Sequence, residues 1–144
     1  MAAAVLDADI FRLMVNQMPG LVWLSAGPGA LRTYVNPAWL DFTGRTLAET
    51  VNDGWQRDVF PDDLPGYLRL LQGATDARQG FEAEYRLKRR DGMYRWLREQ
   101  GAPLSDEAGQ FVGYVASCQD ITRHKRTEDA LRESEQLARE RLAE

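Results

Sequence analysis

Between residues 81 and 119 the chain is patterned as consecutive antiparallel strands. Phe81, Ala83, Tyr85 and Leu87 alternate with Glu82, Glu84, Arg86 and Lys88. A period of two puts the apolar set on one face of a strand and the charges on the other. Asp91-Gly92 follows as a two-residue hairpin turn in which glycine supplies the positive φ. Met93 to Leu104 reads as the return strand, Ser105 to Gly109 as a polar turn, and Gln110 to Gln119 as the final strand. Links this short make successive strands antiparallel neighbours.

The residues upstream supply helices and one more hairpin. Ile10, Leu13, Met14 and Gln17 recur at helical spacing within Asp7 to Met18, and Pro19-Gly20 ends that helix. Leu21 to Ser25 and Leu31 to Val35 read as two strands around a Gly27-Pro28-Gly29 turn. Asn36-Pro37 caps and opens a short helix that Gly44 closes, and Thr46 with Glu49 forms a capping box for another. Val51 to Val59 is irregular, anchored by Trp55. Pro61-Asp62-Asp63 is expected to cap a longer helix with Leu64, Leu68 and Leu71 on one face, loosened at Gly73.

After Asp120-Ile121-Thr122 a charged helical run extends to Glu144 with no flexible spacer. The expected fold class is therefore α+β: a five-stranded antiparallel sheet with short helices on one face, an N-terminal helix and an outgoing C-terminal helix. The expected divisions are residues 1–19, 20–121 and 122–144.

Composition narrows the function. Twenty-two acidic against eighteen basic residues leave a net charge of −4, which argues against nonspecific nucleic-acid binding. Lys88-Arg89-Arg90 reads as a solvated hairpin tip. Cys118 is the only cysteine, so no intramolecular disulfide forms. No stretch approaches the ~20 apolar residues of a membrane span, and the N-terminus lacks the pattern of an export signal. A cytoplasmic location is expected, with any membrane segment left to a larger parent protein.

The segment Val35-Asn36-Pro37-Ala38-Trp39-Leu40-Asp41-Phe42-Thr43-Gly44-Arg45-Thr46 resembles the strand-to-helix stretch of PAS domains. Gly54-Trp55, Pro61-Asp62-Asp63, Tyr85-Arg86, Asp91-Gly92-Met93-Tyr94-Arg95-Trp96 and Asp120-Ile121-Thr122 fall in that family's order and approximate spacing. The resemblance covers roughly residues 20 to 122 and includes the family's C-terminal PAC segment. Its Trp-rich form is common in bacterial sensor kinases and cyclic-dinucleotide enzymes. It implies a sensory or dimerisation module with a small pocket between sheet and helices, and a signalling helix leaving the last strand. Phe60 stands where this subtype often has histidine, which makes that position apolar.

Several chemistries lack their residues. Haem needs an axial ligand in the pocket, and the sole His124 lies on the outgoing helix. Met14, Met18 and Met93 read as packing. The photoreactive flavin branch of the family needs a cysteine early in the helical block, whereas Cys118 sits on the final strand; noncovalent flavin stays open. Asp62-Asp63 has the wrong spacing for a metal cage. Glu99 is the sheet carboxylate expected to point inward, paired with Arg95 or Arg98. With no Ser/His/Asp or Cys/His set available, the chain reads as non-catalytic, and a small acid–base enzyme is the weakest alternative.

The candidate pocket residues are Val22, Leu24, Tyr34, Trp39, Trp55, Tyr85, Leu87, Leu97, Tyr114 and Cys118, with Ala116 sharing the last strand's inward parity. They suit either a filled core or a site for a small apolar or aromatic ligand. Val115, Trp96 and Trp23 are expected on the opposite face, which would need cover from the N-terminal helix or a second chain. Asp120, Ile121 and Thr122 form the expected signal relay. Along the outgoing helix, ~34 Å from Thr122 onward, Leu131, Ala138 and Leu142 fit a heptad seam after Ile121, while Leu137 suggests a competing register. The expected partners are a second copy, joined through N-terminal helix, sheet face and C-terminal helix, and a downstream effector domain such as a histidine kinase or diguanylate cyclase. A ligand-free homodimerisation scaffold is the nearest alternative.

Overall fold

The structure, a computed structural model, describes residues 2–27 and 31–143. Five strands form one antiparallel sheet: β1 (Leu21–Ala26), β2 (Arg32–Val35), β3 (Phe81–Lys88), β4 (Tyr94–Ser105) and β5 (Phe111–Asp120). Their spatial order is β2-β1-β5-β4-β3. The last strand therefore lies between the two hairpins and bonds to both. Helices α2 (Pro37–Thr43), α3 (Leu47–Thr50) and α4 (Leu64–Ala77), with a 3-10 turn at Gly54–Asp58, cover one face. On the other face lie α1 (Ala2–Gln17) and the start of α5 (Thr122–Ala143). No helix among the described residues is long and apolar enough to cross a membrane.

The sequence signals act where they stand. Asn36 is wholly buried. Its Oδ1 accepts from Trp39 N at 3.2 Å and Val22 N at 3.0 Å, while Nδ2 donates to the carbonyls of Val15 and Gly20. One amide thus caps α2 and ties it to β1 and the end of α1. The Thr46–Glu49 capping box is complete, and Gly44 closes α2 at φ 74°.

Some expectations change. Asp63 makes no cap hydrogen bond; its carboxylate turns to Arg86, meeting the backbone N and Nε at 2.9 Å and Nη2 at 2.7 Å. A guanidinium offers that carboxylate a stronger, charge-assisted partner than a helix amide. Helix α4 runs past Gly73 and ends at Arg78, itself left-handed at φ 51°. The β3–β4 link is longer than two residues: Arg89 N bonds Met93 O, Gly92 N bonds Arg89 O, and Gly92 sits at φ 86°. The expected Gly27-Pro28-Gly29 turn, apart from Gly27, lies outside the described residues.

The parity of β1 is the reverse of the one expected. Leu21 and Trp23 face the helical layer and join the main core with Val35, Trp39, Trp55, Tyr67, Tyr85, Leu87, Leu97, Tyr114 and Cys118. Val22 and Leu24 therefore point to the opposite face, where Val22 is nevertheless fully buried. Trp96 does face away from the helical layer, half-buried between Arg86 and Lys125, whose charges lie 4.6 Å and 5.2 Å from its ring.

Candidate functional site

A bulge in the β1–β2 pairing creates the centre of the site. Trp23 opposes Val35 and Leu24 opposes Tyr34, but Ser25 then opposes Arg32. Thr33 is skipped and left exposed, so Arg32 turns inward where strict alternation would send it out. Arg32 is 0% exposed. Its guanidinium carbon lies 3.7 Å from the ring centroid of Trp55, 4.5 Å from Trp23, 5.1 Å from Trp39 and 5.8 Å from Tyr67.

Nη2 of Arg32 donates to the Tyr67 hydroxyl at 2.6 Å. Nε and Nη1 have no hydrogen-bond partner among the described residues. An unmet buried donor on a charged group costs on the order of 1–3 kcal/mol or more, part of which the aromatic faces recover. Burial disfavours the charge, but the oxygens of Tyr67, Tyr85 and Glu99 outweigh it and hold the guanidinium's pKa above its usual value.

The network continues to Glu99 on β4, also 0% exposed. Tyr67 donates to its Oε1. Its Oε2 accepts from Trp23 Nε1 at 2.9 Å, Tyr85 Oη at 2.8 Å and Cys118 Sγ at 2.9 Å. The four donors come from β1, α4, β3 and β5. An ionised carboxylate is acceptor-only, so this one residue fastens three other strands and the longest covering helix to β4. Arg32 and Glu99 are thus a buried charge pair bridged by a tyrosine hydroxyl.

Glu99 points inward as expected, but its partners differ. Arg95 instead binds Asp120 at 2.7 Å, and Arg98 lies 3.2 Å from Glu82 and 3.5 Å from Glu84. Arg98 lies on the outer parity of β4, facing away from the core, while Arg95 shares the parity of Leu97 and Glu99 but sits four residues away at the strand's end, where Asp120 takes it.

Above this network, at the mouth of the helical layer, lies a pocket of about 420 Å³. Trp55, Leu68 and Leu71 provide its apolar wall, and Asn52, Gln56 and Gln72 its carboxamides.

Of the expected pocket residues, Trp39, Trp55, Tyr85, Leu87, Leu97, Tyr114 and Cys118 meet in one cluster. Val22, Leu24 and Tyr34 do not join them. Tyr34 faces α1 instead, donating to Asn16 Oδ1 at 2.6 Å beneath Arg12. Arg32, Tyr67 and the inward Trp23 are absent from the expected set. A helical residue three positions from Leu64 and four from Leu71 was the available signal for Tyr67. Nothing in local patterning announces the bulge.

The relay residues are locked at the sheet's end. Ile121 N donates to Trp96 O at 2.8 Å, and Trp96 N to Thr122 Oγ1 at 2.8 Å. Thr122 N donates to Asp120 Oδ1 at 2.9 Å. Strand β5 ends at Asp120 and α5 starts at Thr122. Lys125, one turn on, reaches Glu84 of β3 at 2.6 Å. Burial pushes the Asp120 carboxyl up, but hydrogen bonds from Arg95 and Thr122 overcome this and hold it below the usual carboxylate range. Further along α5, Leu131, Ala138 and Leu142 are exposed, as is Leu137 at 50%.

Residues 32–118, more than half of the chain, match the sequence model of the PAS fold. The chain belongs to the PAS family. It is 34% identical over 118 residues to the uncharacterized protein y4lL of Sinorhizobium fredii, which covers 82% of this chain and 14% of that protein. It is 28% identical over 130 residues to the peroxide stress-activated histidine kinase mak1 of Schizosaccharomyces pombe, covering 90% of this chain and 8% of the kinase. The chain thus spans a small part of the length of either relative. Among solved structures, a sensory box histidine kinase/response regulator from Burkholderia thailandensis superposes with a TM-score of 0.66 at 29% identity, covering 90% of this chain and 98% of that one.

In this PAS domain the buried protons set a pH dependence. Burial first, then the nearby anionic partners, pushes the hydroxyls of Tyr67 and Tyr85 and the thiol of Cys118 well above their ordinary ranges. A buried thiol so disposed is a hydrogen-bond donor, not a reactive thiolate. Raised folded-state values mean that the folded chain binds more protons in alkali than the unfolded one. The contribution is complete below the unfolded values, about 8.5 for Cys and 10 for Tyr, and is lost above them. Urea midpoints should hold steady from pH 7 to 8 and fall clearly by about pH 10. A midpoint unchanged at alkaline pH would contradict this account.

Proposed function

We propose that this chain is the sensory and dimerisation PAS module of a signal-transduction protein, and that it passes a change in its interior or interface through β5 to α5. The observation that carries the reading is the junction at Asp120, Ile121 and Thr122, where hydrogen bonds to the backbone and side chains of β4 leave no free residue between strand and helix. A displacement of β5 within the sheet must tilt or rotate the first turn of α5. The likeness to portions of histidine kinases supports an effector of that kind downstream, with a diguanylate cyclase as the other candidate. The Trp-rich subtype, a cytoplasmic setting and a non-catalytic role for this domain belong to the same reading.

Exposed Leu131, Ala138 and Leu142 supply one side of a coiled coil with a second copy. The output depends on two states within a few kcal/mol of each other that the signal distinguishes. In the parent protein, Asp120→Ala combined with Thr122→Val is expected to abolish the response to stimulus, with far-UV circular dichroism and the domain's thermal midpoint shifted by only a few degrees. A normal response in that variant would remove the junction from the signalling route.

The second reading is a ligand-free dimerisation scaffold, and Arg32 favours it by filling the interior with its own side chain. A scaffold would form a dimer by light scattering yet give the same effector output in all conditions, whereas a sensor would change its output.

A further inference from the structure

We propose that the pocket at the mouth of the helical layer binds small organic monocarboxylates, and that Arg32 selects for their charge. This deepens the sensory reading, which it needs only for the biological use of the site. The first observation is the pair of unmatched donors, Nε and Nη1, on a guanidinium that is 0% exposed. The second is the position of that guanidinium relative to the pocket. Trp55 lines the cavity while Arg32 lies 3.7 Å from the same ring's centroid. The Arg32 carbonyl also accepts from the amide of Asn52, another lining residue, at 2.7 Å.

The charged group therefore sits one ring's thickness behind the pocket wall. That ring is 3% exposed and packs edge-on against Tyr67 at 5.6 Å, so it must turn before the cavity can reach the guanidinium. Asn52 has φ 61°, a conformation non-glycine residues adopt at a cost, and the indole is fixed by a single hydrogen bond, Trp55 Nε1 to Asn52 O at 2.8 Å. A swing of this ring joins cavity and guanidinium without breaking the Tyr67–Glu99 network.

The chemistry of the walls defines the ligand. Leu68 and Leu71 suit an apolar body, and the carboxamides of Asn52, Gln56 and Gln72 suit a polar rim. A planar carboxylate spans neighbouring guanidinium nitrogens. Glu99 already offsets part of the guanidinium's charge through Tyr67, so each negative charge brought to the cavity is held less strongly than by a lone arginine, and a dianion is disfavoured most.

The test uses sodium phenylacetate and its neutral counterpart phenylacetamide in chloride-free buffer, read by tryptophan fluorescence and thermal unfolding. Phenylacetate should give a saturable emission change and raise Tm, with phenylacetamide about tenfold weaker or worse, since a charge-assisted hydrogen bond is at stake. Leu68→Trp, which fills the cavity without touching Arg32, should lose binding of both. Arg32→Gln should bring the two affinities together.

Equal affinities in the unaltered chain would mean that the aromatic cage alone satisfies Arg32, and would overturn the proposal. So would the absence of a saturable phenylacetate response below about 10 mM, or a carboxylate preference that survives Arg32→Gln. If Arg32→Gln fails to fold, the unaltered chain and Leu68→Trp decide the matter alone. The junction variant tests signalling without any ligand, so the two readings fail separately.

Discussion

Glu99→Ala should destabilise the domain by about 3–5 kcal/mol, the range found when one partner of a buried charge pair is removed. Measured against a typical total of about 5–15 kcal/mol, that loss leaves much of the population unfolded at 37 °C. Three hydrogen-bond donors from Trp23, Tyr85 and Cys118 lose their acceptor at once, and Tyr67 keeps only its bond from Arg32. Arg32 also loses the nearest opposing charge while remaining surrounded by Trp23, Trp39 and Trp55.

Arg32→Leu should cost less, because Glu99 keeps all four of its donors. Joining the two changes as Arg32→Leu with Glu99→Ala should be milder than the sum of the separate losses, since no lone buried charge then remains. Urea unfolding of the four proteins gives the comparison. A cost below about 1 kcal/mol for Glu99→Ala, the usual scale of a single neutral hydrogen bond, would mean that the network does not hold the core.

Gly113→Ala should be nearly as harmful, by about 3 kcal/mol or more. A Cβ at this position would fall 2.0 Å from the carbonyl oxygen of Ser25 and 3.2 Å from Ala26 Cα, on a backbone at φ 150°. Both obstacles are main-chain atoms of the adjacent strand, so no rotamer change relieves them. The ladder must open where Ala26 opposes Gly113 and Ser25 opposes Tyr114. Gly73→Ala provides the contrast: its Cβ meets nothing within 4 Å, and alanine in a helix interior gains up to about 1 kcal/mol over glycine. Opposite shifts in Tm are expected from the same chemical change. A neutral Gly113→Ala would show that β1 and β5 can separate there at little cost.

Most of the scaffold was legible because its signals are local. Asn36, the Thr46–Glu49 pair and the alternation of β3 each specify their own element within a few residues, and the strand-to-helix passage at Asp120 needed no distant contact. The site was less legible because it depends on a departure from regularity. Arg32 enters the core only through the register shift beside Ser25, which alternation cannot foresee.

Trp23 faces the helical layer against expectation for a related reason. Leu21 to Leu24 is apolar at consecutive positions, since α1 and the helical layer cover opposite sides of β1, and such a run has no polar phase to read. Glu99 could be placed inside by parity, but its donors come from four separate elements, so only the assembled sheet identifies them. Asp63, which looks like a helix cap, shows how a nearby guanidinium can outbid a backbone amide.

The strand order has a bearing on how the chain is made. The hairpin of β1 and β2, synthesised early, joins the rest of the described sheet through β5, the last strand to leave the ribosome. The first hairpin must therefore wait, unpaired along one edge, through some eighty residues of synthesis, and such exposed edges invite chaperones or misassociation. Closing this gap is a long-range event of the kind that slows folding. A nascent chain halted before residue 111 should remain open to proteases, and protection should arrive in one step once β5 has emerged.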